Sequence, residues 1–380
     1  MKDFLFTDLI SFVGEAPKKF DGYKKYVSTG AVNGNIIESD DIELVDYSSR
    51  PSRANLVASS GDILFAKMAE TEKTLLLDDE TEKNIYSTGF CAIRAKENII
   101  ESKALYYLLG SSLFLNQKNT NSSGATQRAI TNTGLSKIRI KLPTMEKQRE
   151  FCGIMDKVVD SIELRKKQLG YFDKFTKSLF IEMFGDIHNN KNYDYTNIEE
   201  ITSVLSGGTP DRKENKYWEG GTINWVKTTE LNNNIIIETE EKITNLGLEN
   251  SSAKIIPPQS ILIAMYGQGK TRGMTGYLEV SSATNQACAC ILPSRYINQK
   301  YLWNYLILSY DKLRSMAKGG NQPNLNVMII KKFPVLIPPM NLQEKFVQSV
   351  SSIDKSKLAV KKSLEELEIL KKSLMQKYFA

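Results

Sequence analysis

Residues 142–185 read LPTMEKQREFCGIMDKVVDSIELRKKQLGYFDKFTKSLFIEMFG, and residues 337–380 read IPPMNLQEKFVQSVSSIDKSKLAVKKSLEELEILKKSLMQKYFA. Laid over each other without a gap, the two segments sit 195 residues apart, and the register extends back to set Gly124 on Gly319. Gln127 falls on Gln322 and Lys137 on Lys332. Pro143, Met145, Gln148 and Phe151 fall on Pro338, Met340, Gln343 and Phe346. Lys177, Ser178 and Leu179 fall on Lys372, Ser373 and Leu374, and Phe184 on Phe379. One register held across a whole segment marks a duplication.

Each copy has one anatomy. A short β-like run (138–142; 333–337) ends at Pro143 or Pro338, and a long proline-free helical pattern follows once the opening prolines are passed. The first stripe is Phe151, Met155, Val158, Ile162, Leu169, Phe172, Leu179 and Met183; the second is Phe346, Val350, Ile353, Val360, Leu364, Leu367, Leu374 and Tyr378. Steps of three and four mark one apolar face at coiled-coil spacing. A helix of about forty residues spans about 60 Å and alone would expose that stripe. Two copies in one chain supply each other, so the expected arrangement is an antiparallel pair. Cysteines placed near Phe151 and Leu374 should then crosslink, and those near Phe151 and Phe346 should not.

The rest of the chain repeats more loosely. Asp62–Ala66 (DILFA) is echoed by Ser260–Ala264 (SILIA), Phe90–Ile93 by Ala287–Ile291, and Leu105 and Leu109 by Leu302 and Leu306. Short apolar runs separated by Gly, Ser, Asn and Asp read as mixed strands and loops, with a helix over 102–115 and a polar loop over 119–133. The fold class is therefore α+β: two similar mixed α/β domains and two long helices in a pseudo-twofold repeat. The expected boundaries are a first globular domain over 1–142, helix over 143–185, a second globular domain over 186–337 and helix over 338–380. The helices are more alike than the domains, which points to two related domains with different targets. Duplex DNA is the common partner of such a doubled protein, since half-sites mirror protein symmetry. Unlike domains would read unlike half-sites, with the helices as the ruler.

Composition narrows the function classes. At 380 residues, with 41% hydrophobic and 25% charged residues, the chain has ample core for two or three domains. It has no apolar run long enough for a membrane helix, and MKDFLFTDLISF does not read as a secretion signal. Cys91, Cys152, Cys288 and Cys290 form no C-x-x-C pair, so reduced core residues of a cytoplasmic protein are expected. One histidine, His188, argues against most zinc sites. A net charge of +6 permits nucleic-acid binding with a modest phosphate component.

Several loops carry DNA-compatible chemistry. Ala264–Thr271 (AMYGQGKT) fits a relaxed phosphate-loop pattern, but a strand-like run follows it where a helix should open. A glycine-rich loop between strands is the better reading, with Gln268, Lys270, Thr271 and Arg272 suited to phosphates or base edges. SGGTPDRKEN (206–215) adds Thr209, Arg212 and Lys213, and Lys227 lies further on. Asn285 and Gln286, then Asn321, Gln322 and Asn324, are apt adenine readers, although exposed amides mostly cap turns. In the first half the candidates are Lys24, Lys25, Arg50, Arg53, Lys67, Lys73, Gln127 and Arg128; for any one of them a solvated surface is an equal reading. There is no Asn-Pro-Pro-aromatic tetrad and no dinucleotide fingerprint, and Glu101-Ser102-Lys103 reads as a helix start, not a nuclease centre.

These motifs resemble the specificity subunit of type I restriction-modification systems, across essentially the whole chain. The resemblance is carried by SGGTPDRKENKYWEGGTINWVKTTEL, by PQSILIAMYGQGKTRGMTGYLEVSSATNQACACIL, and by the paired LPTMEKQREF and IPPMNLQEKF. The first domain matches at SGDILFAK, IYSTGFCAIRAK and ATQRAI and lacks an S-G-x-T-P element. The family implies two target-recognition domains, each reading one half of a split double-stranded DNA site, and no chemistry or bound cofactor in this chain. It also implies two docked methyltransferase subunits using S-adenosylmethionine, and two endonuclease subunits, using ATP and magnesium, where cleavage occurs. Gln148, Phe151, Leu179, Phe184, Gln343, Phe346, Leu374 and Phe379 are the expected docking residues. Two rivals stand beside this: a stand-alone DNA nuclease or methyltransferase, and a non-catalytic coiled-coil adaptor. Salt-dependent DNA binding would separate the adaptor from a DNA reader.

Overall fold

The computed structural model describes residues 1–125, 127–267, 269–318 and 323–379. The long helical patterns become two unbroken helices of 40 residues each, Met145–Phe184 and Met340–Phe379, shortly after Pro143 and Pro338. The chain forms two compact units, Met1–Lys167 with Val360–Ala380, and Gln168–Ala359. Each helix is thus divided: a unit holds one globular domain, the front of one helix and the back of the other. The expected segmentation kept each helix apart from the domains; compactness groups them differently, because the apolar stripes close each domain's core.

Within the first unit the helices meet antiparallel. The Phe151 ring stacks on Tyr378 at 4.0 Å and meets Phe379 edge-on at 5.3 Å. Within the second unit, Phe180 and Phe184, at the end of the first helix, meet Phe346, at the start of the second, at 5.5 and 5.6 Å. The stripes are buried at Met155, Val158 and Ile162, and at Val350, Ile353 and Val360. Toward each helix's end the buried positions shift to Phe180 and Phe184, and to Met375 and Phe379, where the helix docks on a domain as well as on its partner helix.

One glutamine fastens each domain to a helix. Gln148 accepts from the Glu101 backbone N–H (3.0 Å) and donates to the Ile99 (3.0 Å) and Pro143 (3.1 Å) carbonyls. Gln343 accepts from the Asn298 N–H (2.9 Å) and donates to the Pro338 carbonyl (2.8 Å). Glu101 and Asn298 are the residues that open helices Ser102–Leu109 and Gln299–Leu308. The side chains of Gln148, Phe151, Phe184, Gln343, Phe346 and Phe379 are buried, and Leu179 and Leu374 are half-buried against the same cores. These eight residues, expected on a docking surface, are therefore packing and latching positions.

In the first unit an antiparallel sheet runs in the order Ile10–Phe12, Phe90–Ala95, Ile63–Ala66, Thr74–Leu76. In the second the order is Val204–Ser206, Cys288–Ile291, Ile261–Ala264, Thr275–Leu278, with Asn234–Ile236 added in parallel. A smaller mixed sheet lies in each unit: Lys24–Val27 pairs parallel with Ile85–Ser87 in the first, and Ile223–Val226 with Ala283–Thr284 in the second. The helix expected over 102–115 is two helices, Ser102–Leu109 and Ser112–Thr120, because Gly110 ends the first and the Ser111 hydroxyl caps the second. The second of these also takes in Asn119 and Thr120, which the loop reading had claimed. All four cysteines are free and buried. Among the described residues no helix is long and apolar enough to cross a membrane.

Candidate nucleic-acid interface

The same loop frame occurs in both units. In the first, the Lys67 N–H donates to the Gly89 carbonyl (3.0 Å), and the Ile130 N–H donates to the Lys67 carbonyl (2.8 Å). In the second, the Met265 N–H donates to Ala287 (2.8 Å), and the Leu325 N–H donates to Met265 (3.0 Å). Each frame gathers three loops: the hairpin tip after strand Ile63–Ala66 or Ile261–Ala264, the approach to the neighbouring strand, and the stretch before the long helix. This makes a rim of backbone whose outward side chains differ between the units.

The second rim is the more elaborate. Gly207 and Gly208 press against Thr284–Asn285 and Ser252–Ala253, where any Cβ would collide. That contact seats Thr209 beside Gln286, and the Thr209 hydroxyl donates to the Gln286 side-chain oxygen. Gln286 is exposed, and among the described residues nothing accepts from its amide N–H donors. Asn285, half-buried next to it, has its side-chain oxygen buried without a hydrogen-bond partner among the described residues. The Trp225 indole N–H holds the Gly208 carbonyl at 3.0 Å. Arg212 lies over Trp218 at 3.8 Å and Trp225 at 4.7 Å, and pairs with Glu241. Lys227 pairs with Glu240 (2.7 Å) and Glu241 (3.0 Å), and those two carboxylates raise its pKa. Burial works to raise the Glu241 pKa, but hydrogen bonds from Arg212 and Lys227 outweigh it and leave it lowered. Arg212 and Lys227, expected to bind DNA, are thus already engaged by carboxylates, whereas Lys213 is exposed with no ion pair among the described residues.

The glycine-rich stretch after Ala264 is a hairpin loop between strands Ile261–Ala264 and Thr275–Leu278, which removes the phosphate-loop alternative. Lys270 is exposed and Thr271 half-exposed. Arg272 donates to the Pro323 carbonyl, while its Nε is buried without a partner among the described residues. Asn324 exchanges backbone hydrogen bonds with Lys318. Gln268, Asn321 and Gln322 lie outside the described residues.

In the first unit the candidates divide. Lys67, Gln127 and Arg128 belong to the rim; Arg128 is exposed and donates to the Asn119 carbonyl at 2.6 Å. Lys73 reaches away, to the Thr29 carbonyl at 2.7 Å. Lys24, Lys25, Arg50 and Arg53 gather on the smaller sheet: Lys24 lies 5.2 Å from the Phe20 ring centroid, and Arg50 is held by the Tyr47 and Ala54 carbonyls. Arg53 is exposed. The hairpin tip here carries Glu70 and Glu72, where the second unit carries Lys270 and Arg272. Sequence reading missed the tryptophan cradle for Arg212 and the carboxylates facing it. The YWEGGTINW run (217–225) contained both tryptophans, but only the fold brings them to one cation.

The family model for the type I restriction modification DNA specificity domain matches residues 11–170 and 190–369. The MjaIX type I restriction enzyme specificity subunit of Methanocaldococcus jannaschii is 23% identical over 308 residues, covering 76% of this chain and 70% of that protein. The EcoR124I/EcoR124II specificity subunit of Escherichia coli is 25% identical over 240 residues, covering 59% and 57%. A solved chain from a study of type I restriction-modification complex assembly superposes with a TM-score of 0.63 at 20% identity, over 99% of this chain and 97% of that one. The type I system S subunit from M. genitalium superposes at 0.57 and 15% identity, covering 100% and 96%. The chain belongs to the type I restriction modification DNA specificity family; its part is sequence recognition, not catalysis.

Proposed function

We propose that this specificity subunit reads a bipartite double-stranded DNA site, one half per unit, and docks two methyltransferase subunits. Two endonuclease subunits join where the system also cleaves. S-adenosylmethionine then enters with the methyltransferase, and ATP and magnesium with the endonuclease, all in the cytoplasm. One observation carries the reading: two rims of equivalent hydrogen-bonded backbone present unlike side chains. On the second rim, Gln286 is the favoured base reader, because Thr209 engages its oxygen and leaves its N–H donors directed to a partner. Lys213 and Lys270 are favoured for phosphates, since both are exposed. Adenine methylation mapped across the genome, with the methyltransferase present and this chain present or absent, tests the reading. A split motif that depends on the chain supports it. An active methyltransferase whose pattern ignores the folded chain would move it to the adaptor reading.

A further inference from the structure

Two cations, each on a short helix behind its rim, hold the hairpin tips in place. In the first unit Lys118, on helix Ser112–Thr120, is 2% exposed. Its ammonium donates to the carbonyls of Ala66 (3.3 Å), Met68 (3.1 Å) and Thr71 (2.7 Å). In the second unit Arg314, on helix Tyr310–Ser315, donates to the Arg272 carbonyl at 2.7 Å. Thr71 and Arg272 occupy the same place: each lies three residues before its strand, Thr74–Leu76 or Thr275–Leu278, and those strands pair in the same register, Phe65 with Thr74 and Ile263 with Thr275. Each helix adds a second grip. The Asn119 side chain accepts from the Glu70 N–H (2.9 Å), and the Tyr310 hydroxyl donates to the Lys270 carbonyl (2.7 Å). Gly273 follows at φ +89°, and a Cβ there would stand 3.1 Å from Arg314 Cγ.

We infer that Lys118 and Arg314 are positioning residues for specificity: each fixes the path of one hairpin tip, and thereby what that tip presents to its half-site. A bare surface role does not explain a lysine buried among backbone carbonyls, nor two helices gripping the same carbonyl position with different residues. A carbonyl accepts strongly from a charged donor, and a buried cation needs such acceptors. The burial also lowers the Lys118 pKa to about 8. Placement, not contact, is the role, because the tip's outward side chains do the touching.

This rests on the DNA-reading function above, so the test reads both separately. Lys118→Met and Arg314→Met are made in the full chain, assembled with its methyltransferase, and methylation is measured on oligonucleotides with single-base changes in either half-site. Loop order is read independently as amide hydrogen exchange over 70–74 and 273–275. The expected result is faster exchange confined to the altered unit's tip, with discrimination at one half-site falling about tenfold, as loss of one positioned contact implies. Lys118→Arg and Arg314→Lys should restore most of both. Unchanged exchange and unchanged half-site preference would overturn the inference, as would faster exchange with discrimination intact. Arg314 is half-exposed, so Arg314→Met decides the matter if Lys118→Met does not fold. A wild-type complex without sequence preference would instead defeat the DNA-reading function and leave the exchange result standing.

Discussion

The Gln148 and Gln343 latches and the two hairpin tips make an instructive comparison. The latches are alike: the same side chain accepts from the residue that opens a helix and donates to the proline carbonyl before the long helix. The tips share a backbone frame, but one carries Glu70 and Glu72, and the other Lys270 and Arg272. Where the chain joins itself the chemistry repeats. Where it faces outward, only the frame repeats.

The largest expected break is at the joins. Ending the chain at Gly185 removes Met375, Phe379 and Tyr378 from the Phe151 core, so the remaining half should dimerise to cover its stripe. Light scattering should show a dimer; a soluble monomer would contradict the burial argument. Next, Phe346→Ala removes an aromatic that meets Phe180, Phe184 and Tyr301, and should cost about 3–5 kcal/mol in unfolding. Gln148→Ala and Gln343→Ala each orphan buried backbone groups, and each should cost about 1–3 kcal/mol by denaturant titration. Similar costs for the two would sharpen the likeness of the latches.

Effects at the rims should be small for stability and local in consequence. Glu241→Gln should cost only about 0.2–1 kcal/mol, since its partners Arg212 and Lys227 are partly exposed. Because the Glu241 pKa is lowered in the fold, its contribution is present above the unfolded value of 4.5 and fades as pH falls through the lower folded one. The variant should flatten that acid loss, as thermal melts between pH 3 and 6 can show.

The helices and their antiparallel pairing were legible because a stripe at steps of three and four is a long, redundant signal. Phe180 and Met375 were not picked out, since near its end each helix serves a domain as well as its partner helix, and one stripe cannot report two faces. Gln148 and Gln343 were singled out for their recurrence, and both prove to be buried latches; repetition marks a constrained site without saying whether it faces in or out. The close approach of Gly207 and Gly208 to Thr284 and Ser252 was not legible, because it is a contact between segments far apart in sequence. Lys118 was invisible for the same reason: its three acceptors lie about fifty residues upstream.

The central claim is that one frame supports two separate readings. The most direct test is the methylated motif of the assembled complex carrying Gln286→Ala. The account predicts that one half of the split motif becomes degenerate, at about 1–3 kcal/mol of lost discrimination, while the other half and the spacer stay unchanged. Equal degeneracy in both halves, or none in either, would contradict it.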